Sequence, residues 1–147
     1  MTIFQFTNEN HFLSNFHPAT FFWNDLQWDN SECAYQAAKS LDIYTQLSFT
    51  KMSAREAKKE GKVIACRPDW EQVKVSIMTE IVYEKFSQNP DLIQKLLATG
   101  TQKLEEGNNW GDKFWGVSPV GGYGQNWLGR ILMSIRKDFQ LQEHGIE

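Results

Sequence analysis

Between Trp70 and Phe86, apolar side chains fall at 70, 73, 77, 78, 81, 82 and 86. Steps of this kind wrap one stripe around a 3.6-residue helix and predict a core-facing segment. Arg67-Pro68-Asp69-Trp70 opens this longest helix, because proline and an acid both suit a first turn. Asn89-Pro90-Asp91 ends it and starts another, which carries Leu92, Ile93, Leu96 and Leu97 and stops at Thr99-Gly100. Near the start of the chain, Ile3 to Phe6 alternates apolar and polar as a short strand does. Phe21-Phe22-Trp23 and Leu26-Gln27-Trp28 flank Asn24-Asp25, which predicts a β-hairpin with a two-residue turn. Ser53-Ala54-Arg55-Glu56 is a capping box that opens a short helix ending at Gly61. Residues 101–124 read as irregular, with Leu104-Glu105 as a short strand, and a last helix runs from Asn126 to about Phe139. Strands first and several helices after define an α+β fold, a helix-rich single domain over 1–147 with a small antiparallel sheet.

A helix opening at Ser31 carries the most chemistry. Cys33, Ala34, Ala37, Ala38 and Leu41 form one face, small and apolar, suited to close packing. Glu32, Tyr35, Gln36 and Lys39 form the other, so an acid, a phenol, an amide and an amine stand together. Glu32 and Lys39 are two turns apart, roughly 10 Å along the axis, and both can reach a small ligand between them. The alternative is an ordinary solvated helix face.

Composition narrows the classes. A net charge of −3 over 147 residues argues against tight non-specific binding to nucleic acid, which depends on neutralising phosphates. Two cysteines, Cys33 and Cys66, make no CxxC pair and no disulfide framework, which fits a reducing compartment. Met1 to Phe6 lacks a basic region followed by a long apolar run, and no stretch approaches about 18 apolar residues. The expectation is a cytoplasmic protein with no membrane span. His11, His17 and His144 have no metal-ligand spacing, and neither a nucleophile elbow nor a P-loop is present, so no metal and no cofactor is expected.

Three further segments carry candidate residues. Phe12-Leu13-Ser14-Asn15-Phe16 brackets a Ser-Asn pair with aromatics, and Ser14, Asn15 and Phe16 suit a heterocycle or a sugar; an Asx turn anchored in the core is the alternative. Asn109 to Gly116 places Asp112 beside Trp110 and Trp115, an arrangement able to raise a carboxylate's pKa for acid catalysis; a buried structural turn is the alternative. Gly121-Gly122-Tyr123-Gly124-Gln125-Asn126 runs into a helix start with Arg130 one turn inside, a weak form of phosphate cradle. Arg67, at the start of the long helix, is a second place for a phosphate, since its guanidinium offers a fork of donors.

Taken in order, these segments resemble the YbiA-like family of N-glycosidases, also called NADAR. Phe12 to Phe16 is similar to the family's FSNF-type start, and Trp28 to Lys39 to its helix of Trp, Ser, Glu, Tyr-Gln and Lys. Asp69-Trp70 with Lys74, Met78 and Lys85-Phe86 resembles a second family helix. Thr99-Gly100, Leu104-Glu105, Asp112-x-x-Trp115-Gly116 and Gly124-x-Asn126-x-Leu128-Gly129-x-x-Leu132-Met133-x-x-Arg136 are similar to the rest, so the resemblance spans residues 4 to 139. One departure is Cys33, where relatives often carry His.

The resemblance implies hydrolysis of an N-glycosidic bond between ribose and an exocyclic amine. One branch acts on phosphoribosylamino-pyrimidines, early riboflavin-pathway intermediates; another removes ADP-ribose from guanine in nucleic acid. The expected partner is a small phosphoribosyl or ADP-ribosyl substrate, with nucleic acid only as a modified substrate. Glu32 and Asp112 are then the acid–base carboxylates, and Lys39 a neutral amine able to form a Schiff base at C1. Tyr35, Gln36, Trp70, Trp115, Asn126 and Arg130 join Ser14, Asn15, Phe16 and Arg67 as substrate-binding candidates. A module that binds such a ligand without cleaving it is the second hypothesis. It has no need of Glu32, Lys39 and Asp112 together.

Overall fold

The computed structural model describes residues 1–145. In chain order the elements are β1 (Thr2–Ile3), a 3₁₀ helix (Asn8–Leu13), β2 (Phe21–Trp23), β3 (Leu26–Trp28), α1 (Ser31–Ala37), α2 (Ile43–Phe49), α3 (Ala54–Glu60), α4 (Trp70–Ser87), α5 (Pro90–Ala98), β4 (Lys103–Leu104) and α6 (Trp127–Glu143). Two compact units emerge. One is Asn15–Asn89; the other is Met1–Ser14 together with the chain from Pro90 onward.

In the Asn15–Asn89 unit, β2 and β3 form the expected antiparallel hairpin, with Phe21 opposite Trp28 and Trp23 opposite Leu26. Asn24 and Asp25 both take positive φ, 55° and 62°. This is the primed turn whose twist matches the strands, and Asn and Asp tolerate it better than most residues. α1 begins at Ser31 as the sequence predicts, capped by the Asn30 side chain, which accepts from the Cys33 N–H at 2.8 Å. It ends at Ala37, so Lys39 lies just past the helix. Leu41 is 69% exposed and does not join the apolar face. α3 has its capping box, with Ser53 and Glu56 each satisfying the other's backbone N–H.

Along α4, Trp70, Ile77, Met78, Ile81, Val82 and Phe86 are buried and Val73 is half-buried, which is the predicted stripe. The same helix buries Lys85 to 1% exposure, its ammonium 5.1 Å from the centroid of the Phe86 ring. Burial lowers the Lys85 pKa to about 7 from an ordinary 10.5. Below that value the amine is charged in both folded and unfolded chains. Between it and 10.5 only the unfolded chain holds the proton, so stability rises with pH across this window. Relative to wild type, the Lys85→Met denaturant midpoint should therefore be higher near about pH 6 than near about pH 9. An equal difference at both values would mean that Lys85 does not titrate with folding.

The other unit holds β1, β4, the 3₁₀ helix, α5 and α6, and residues 105–126 are irregular apart from a bridge between Gly107 and Val117. The strand expected at Ile3–Phe6 is instead Thr2–Ile3, the one expected at Leu104-Glu105 is Lys103–Leu104, and the two pair with each other. The pair is parallel, with Thr2 beside Lys103 and Ile3 beside Leu104. α5 packs on α6 through Leu92 and Leu96, and α6 buries Leu128, Ile131, Leu132, Ile135 and Phe139. α6 continues one turn beyond the expected end, to Glu143. Arg136 is buried with its guanidinium on the Thr99 hydroxyl at 2.9 Å, which gives that charge a partner.

Candidate functional site

The polar face of α1 is not solvated. Glu32, Tyr35 and Gln36 are 8%, 7% and 6% exposed, which removes the ordinary-surface reading. Small residues on the opposite face explain how so short a helix becomes enclosed. Cys33, Ala34, Ala37 and Ala38 are all buried, and α1 packs against α2, α3 and α4. The Cys33 thiol donates to the Met52 carbonyl at 3.2 Å, and burial pushes its pKa up to about 11. It is a packed neutral thiol rather than a nucleophile.

On the enclosed face, Gln36 Nε2 donates to Glu32 Oε2 at 2.7 Å. Tyr35 meets Trp70, the first residue of α4, with ring centroids 5.2 Å apart. Lys39 is half-buried; its ammonium donates to the Gly61 carbonyl at 3.2 Å, and its own carbonyl accepts the Arg67 N–H at 2.7 Å. The chain after α3 and the chain before α4 thus hold Lys39 between them. Desolvation lowers the Lys39 pKa. Cys66 and Glu32 oppose that shift, and the neighbouring cations Lys62 and Lys74 add to it. An amine so placed is neutral more often than an exposed lysine.

Asn15 borders this face. Its carbonyl accepts the Glu32 N–H at 3.1 Å, and its Nδ2 sits 3.5 Å from the Met78 sulfur. Among the described residues, three buried side-chain atoms lack a hydrogen-bond partner: Asn15 Oδ1, Ser31 Oγ and Gln36 Oε1. Ser31 and Gln36 belong to α1, and Asn15 meets its first turn through the Glu32 N–H. Unmet polar atoms of this kind cost about 1–3 kcal/mol each, and a polar ligand or ordered water repays that cost. Phe16 is exposed, with the Lys58 ammonium 5.9 Å from its ring centroid.

Arg67 is engaged. Its Nε and one terminal nitrogen contact the Asp69 carboxylate at 2.6 and 2.9 Å. That bidentate pair holds the Arg67 pKa above, and the Asp69 pKa below, their ordinary values. A phosphate at Arg67 would have to share the guanidinium with a carboxylate. The residue also lines a cavity of about 430 Å³ with Trp23, Gln46, Gln72 and Glu80.

The remaining candidates belong to the other unit. Asp112 Oδ1 accepts the N–H groups of Phe114 and Trp115 at 3.0 and 2.9 Å, so this carboxylate also shapes its own loop. Trp115 is half-buried and meets Phe114 edge to face. Asn126 takes φ 55° and uses both ends of its amide, accepting from the Glu106 N–H at 3.0 Å and donating to the Leu104 carbonyl at 2.9 Å. Its side chain ties β4 to the start of α6. Arg130 is exposed, with its guanidinium 4.8 Å from the Trp127 ring centroid. Ser14 is half-buried. Gly124 lies at φ 147°, and a Cβ there would come 2.3 Å from the Gly116 carbonyl, so only glycine fits this crossing. Gly121 and Gly122 line a cavity of about 490 Å³ with Phe4, Gln5, Lys103 and Glu105.

Sequence reading missed Gly61. It was expected only to stop α3, but its φ is an ordinary −61°, and its role is space. A Cβ at this position would lie 1.9 Å from Gln36 Oε1. No local pattern signals that, because the partner is 25 residues earlier in the chain.

The NADAR domain family model matches residues 3–140, and the chain belongs to this family. It is 40% identical over 144 residues to a riboflavin biosynthesis protein of Vibrio vulnificus, covering 94% of this chain and 38% of that protein. The chain therefore spans well under half the length of that relative. It is 33% identical over 134 residues to an N-glycosidase of Nostoc punctiforme, covering 87% of this chain and 85% of the relative. It is 33% identical over 121 residues to the N-glycosidase YbiA of Escherichia coli, covering 79% and 73% of the two chains. The NMR structure of the E. coli protein YbiA matches with a TM-score of 0.85 at 28% identity, over 100% of this chain and 88% of that one. That likeness establishes the α+β fold. Among the described residues, no helix is long and apolar enough to cross a membrane.

Proposed function

We propose that this protein, an N-glycosidase of the NADAR family, cleaves the bond between ribose phosphate and the exocyclic amine of a phosphoribosylamino-pyrimidine. The observation that carries the reading is the enclosed Glu32, held by Gln36, with the half-buried Lys39 just past the helix and its pKa lowered. Burying an acid and an amine costs stability, and a module that only binds has no use for both. The names of the Vibrio, Nostoc and E. coli relatives support an N-glycosidase, and the first of them supports a riboflavin-pathway substrate.

The chemistry runs as follows. A ribosylamine opens to an imine at C1. Neutral Lys39 Nζ attacks C1, the exocyclic amine leaves with a proton, and a Schiff base between Lys39 and C1 remains. Water adds to that carbon, and the Lys39 amine departs, freeing the sugar phosphate. Glu32 moves protons and stabilises the cationic carbon. No metal or cofactor takes part in these steps.

A side-by-side assay tests the substrate. Free aminopyrimidine should be released from the phosphoribosylamino-pyrimidine far faster than guanine is restored in ADP-ribosylated DNA. Activity confined to the DNA would overturn the assignment. Tight binding of the pyrimidine substrate with no release over hours would favour the binding module.

A further inference from the structure

We infer that Gln36 is a positioning residue rather than a substrate ligand: it holds the Glu32 carboxylate, and Gly61 supplies the space its amide needs. This rests on Glu32 as the reacting carboxylate. Gln36 is 6% exposed, and its amide lies between Glu32 and Gly61. One end donates from Nε2 to Glu32 Oε2 at 2.7 Å, one helical turn away. The other end is packed on Gly61, where a Cβ would lie 1.9 Å from Oε1 and 2.6 Å from Cδ.

The orientation of the amide follows from its surroundings. Turned over, it would set its oxygen against a carboxylate oxygen, acceptor against acceptor. As it stands, Oε1 has no partner, so the bond to Glu32 is what fixes the group. Enclosed between Glu32 and Gly61, the amide acts on the reaction only through the carboxylate it aims. Gly61 adds a second link, because its carbonyl accepts the Lys39 ammonium at 3.2 Å. One glycine therefore braces the supports of both reactive side chains.

The test uses the full chain. Gln36→Met keeps length and bulk but removes the donor. It should lower kcat about tenfold to a hundredfold with KM unchanged, because Glu32 is then misaimed by a fraction of an ångström to an ångström. Gly61→Ala should act in the same direction by expelling the amide. In a Gln36→Ala background the space is open, and adding Gly61→Ala should cost less than about twofold more, a strong non-additivity. Independent damage to the fold would instead multiply. A rise in KM with kcat intact would make Gln36 a substrate ligand and overturn the inference.

A second readout needs no turnover. The side-chain Nε2 resonances of Gln36 should shift in both Glu32→Ala and Gly61→Ala. Resonances unmoved by Glu32→Ala would also overturn the inference. A wild-type protein that releases no base would fail the activity reading alone, since the resonances report the pairing directly.

Discussion

Glu32→Ala should lower kcat by about 10²- to 10⁴-fold and change KM much less. The carboxylate matters most when C1 becomes cationic, so its loss is felt in the transition state rather than in the bound substrate. The side chain is 8% exposed and accepts from Gln36, so alanine also strands a buried amide donor. Glu32→Gln controls for that, because a second amide can still accept from Gln36 while carrying no charge. Both variants should be slow, and only the alanine should show much loss in thermal midpoint. If Glu32→Ala altered stability and left turnover alone, α1 would be a packing element and the proposed chemistry would fall.

Lys39→Met should be the more damaging change, by about a thousandfold or more, because it removes the atom proposed to bond C1. Lys39→Arg should be nearly as slow, since guanidinium keeps its proton at any workable pH. The pH profile carries the sign. The reactive amine is the neutral one, so kcat should rise with pH through the pKa of Lys39, which burial has lowered. Lys62 contributes to that lowering as a neighbouring cation. Lys62→Ala should therefore raise the Lys39 pKa and move the rising limb toward higher pH. A limb that stayed in place would show that Lys39 does not set the profile.

Much of the fold, and the helix that carries the candidate side chains, was legible where a local period or a cap writes itself into the sequence. The grouping of Glu32, Tyr35 and Gln36 on α1 follows from 3.6-residue spacing, and so do the buried positions of α4, whereas Lys39 lies just past the end of α1. The Ser53–Glu56 box and the Asn24-Asp25 turn follow from side-chain chemistry within four residues. α2 was not legible, because Ile43, Tyr44 and Leu47 are exposed and leave no clear apolar stripe. The β1–β4 pairing was not legible either: two residues a side, joined across a hundred positions, give no period to read. Pairings made at a distance account for the rest. Gly61 against Gln36 and the burial of Lys85 depend on neighbours that only the folded chain supplies. The Arg67–Asp69 pair lies only two residues apart, but spacing alone does not show that the guanidinium turns onto that carboxylate.

Borohydride added during turnover of the phosphoribosylamino-pyrimidine tests the central claim most directly. Reduction of the proposed Schiff base would leave the sugar phosphate joined to the protein through a stable amine, and peptide mass spectrometry locates it. The account predicts one adduct, on Lys39, that forms only with substrate and is absent from Lys39→Met. Steady release of free base with no trapped adduct would contradict it and leave Lys39 as a ligand to the substrate.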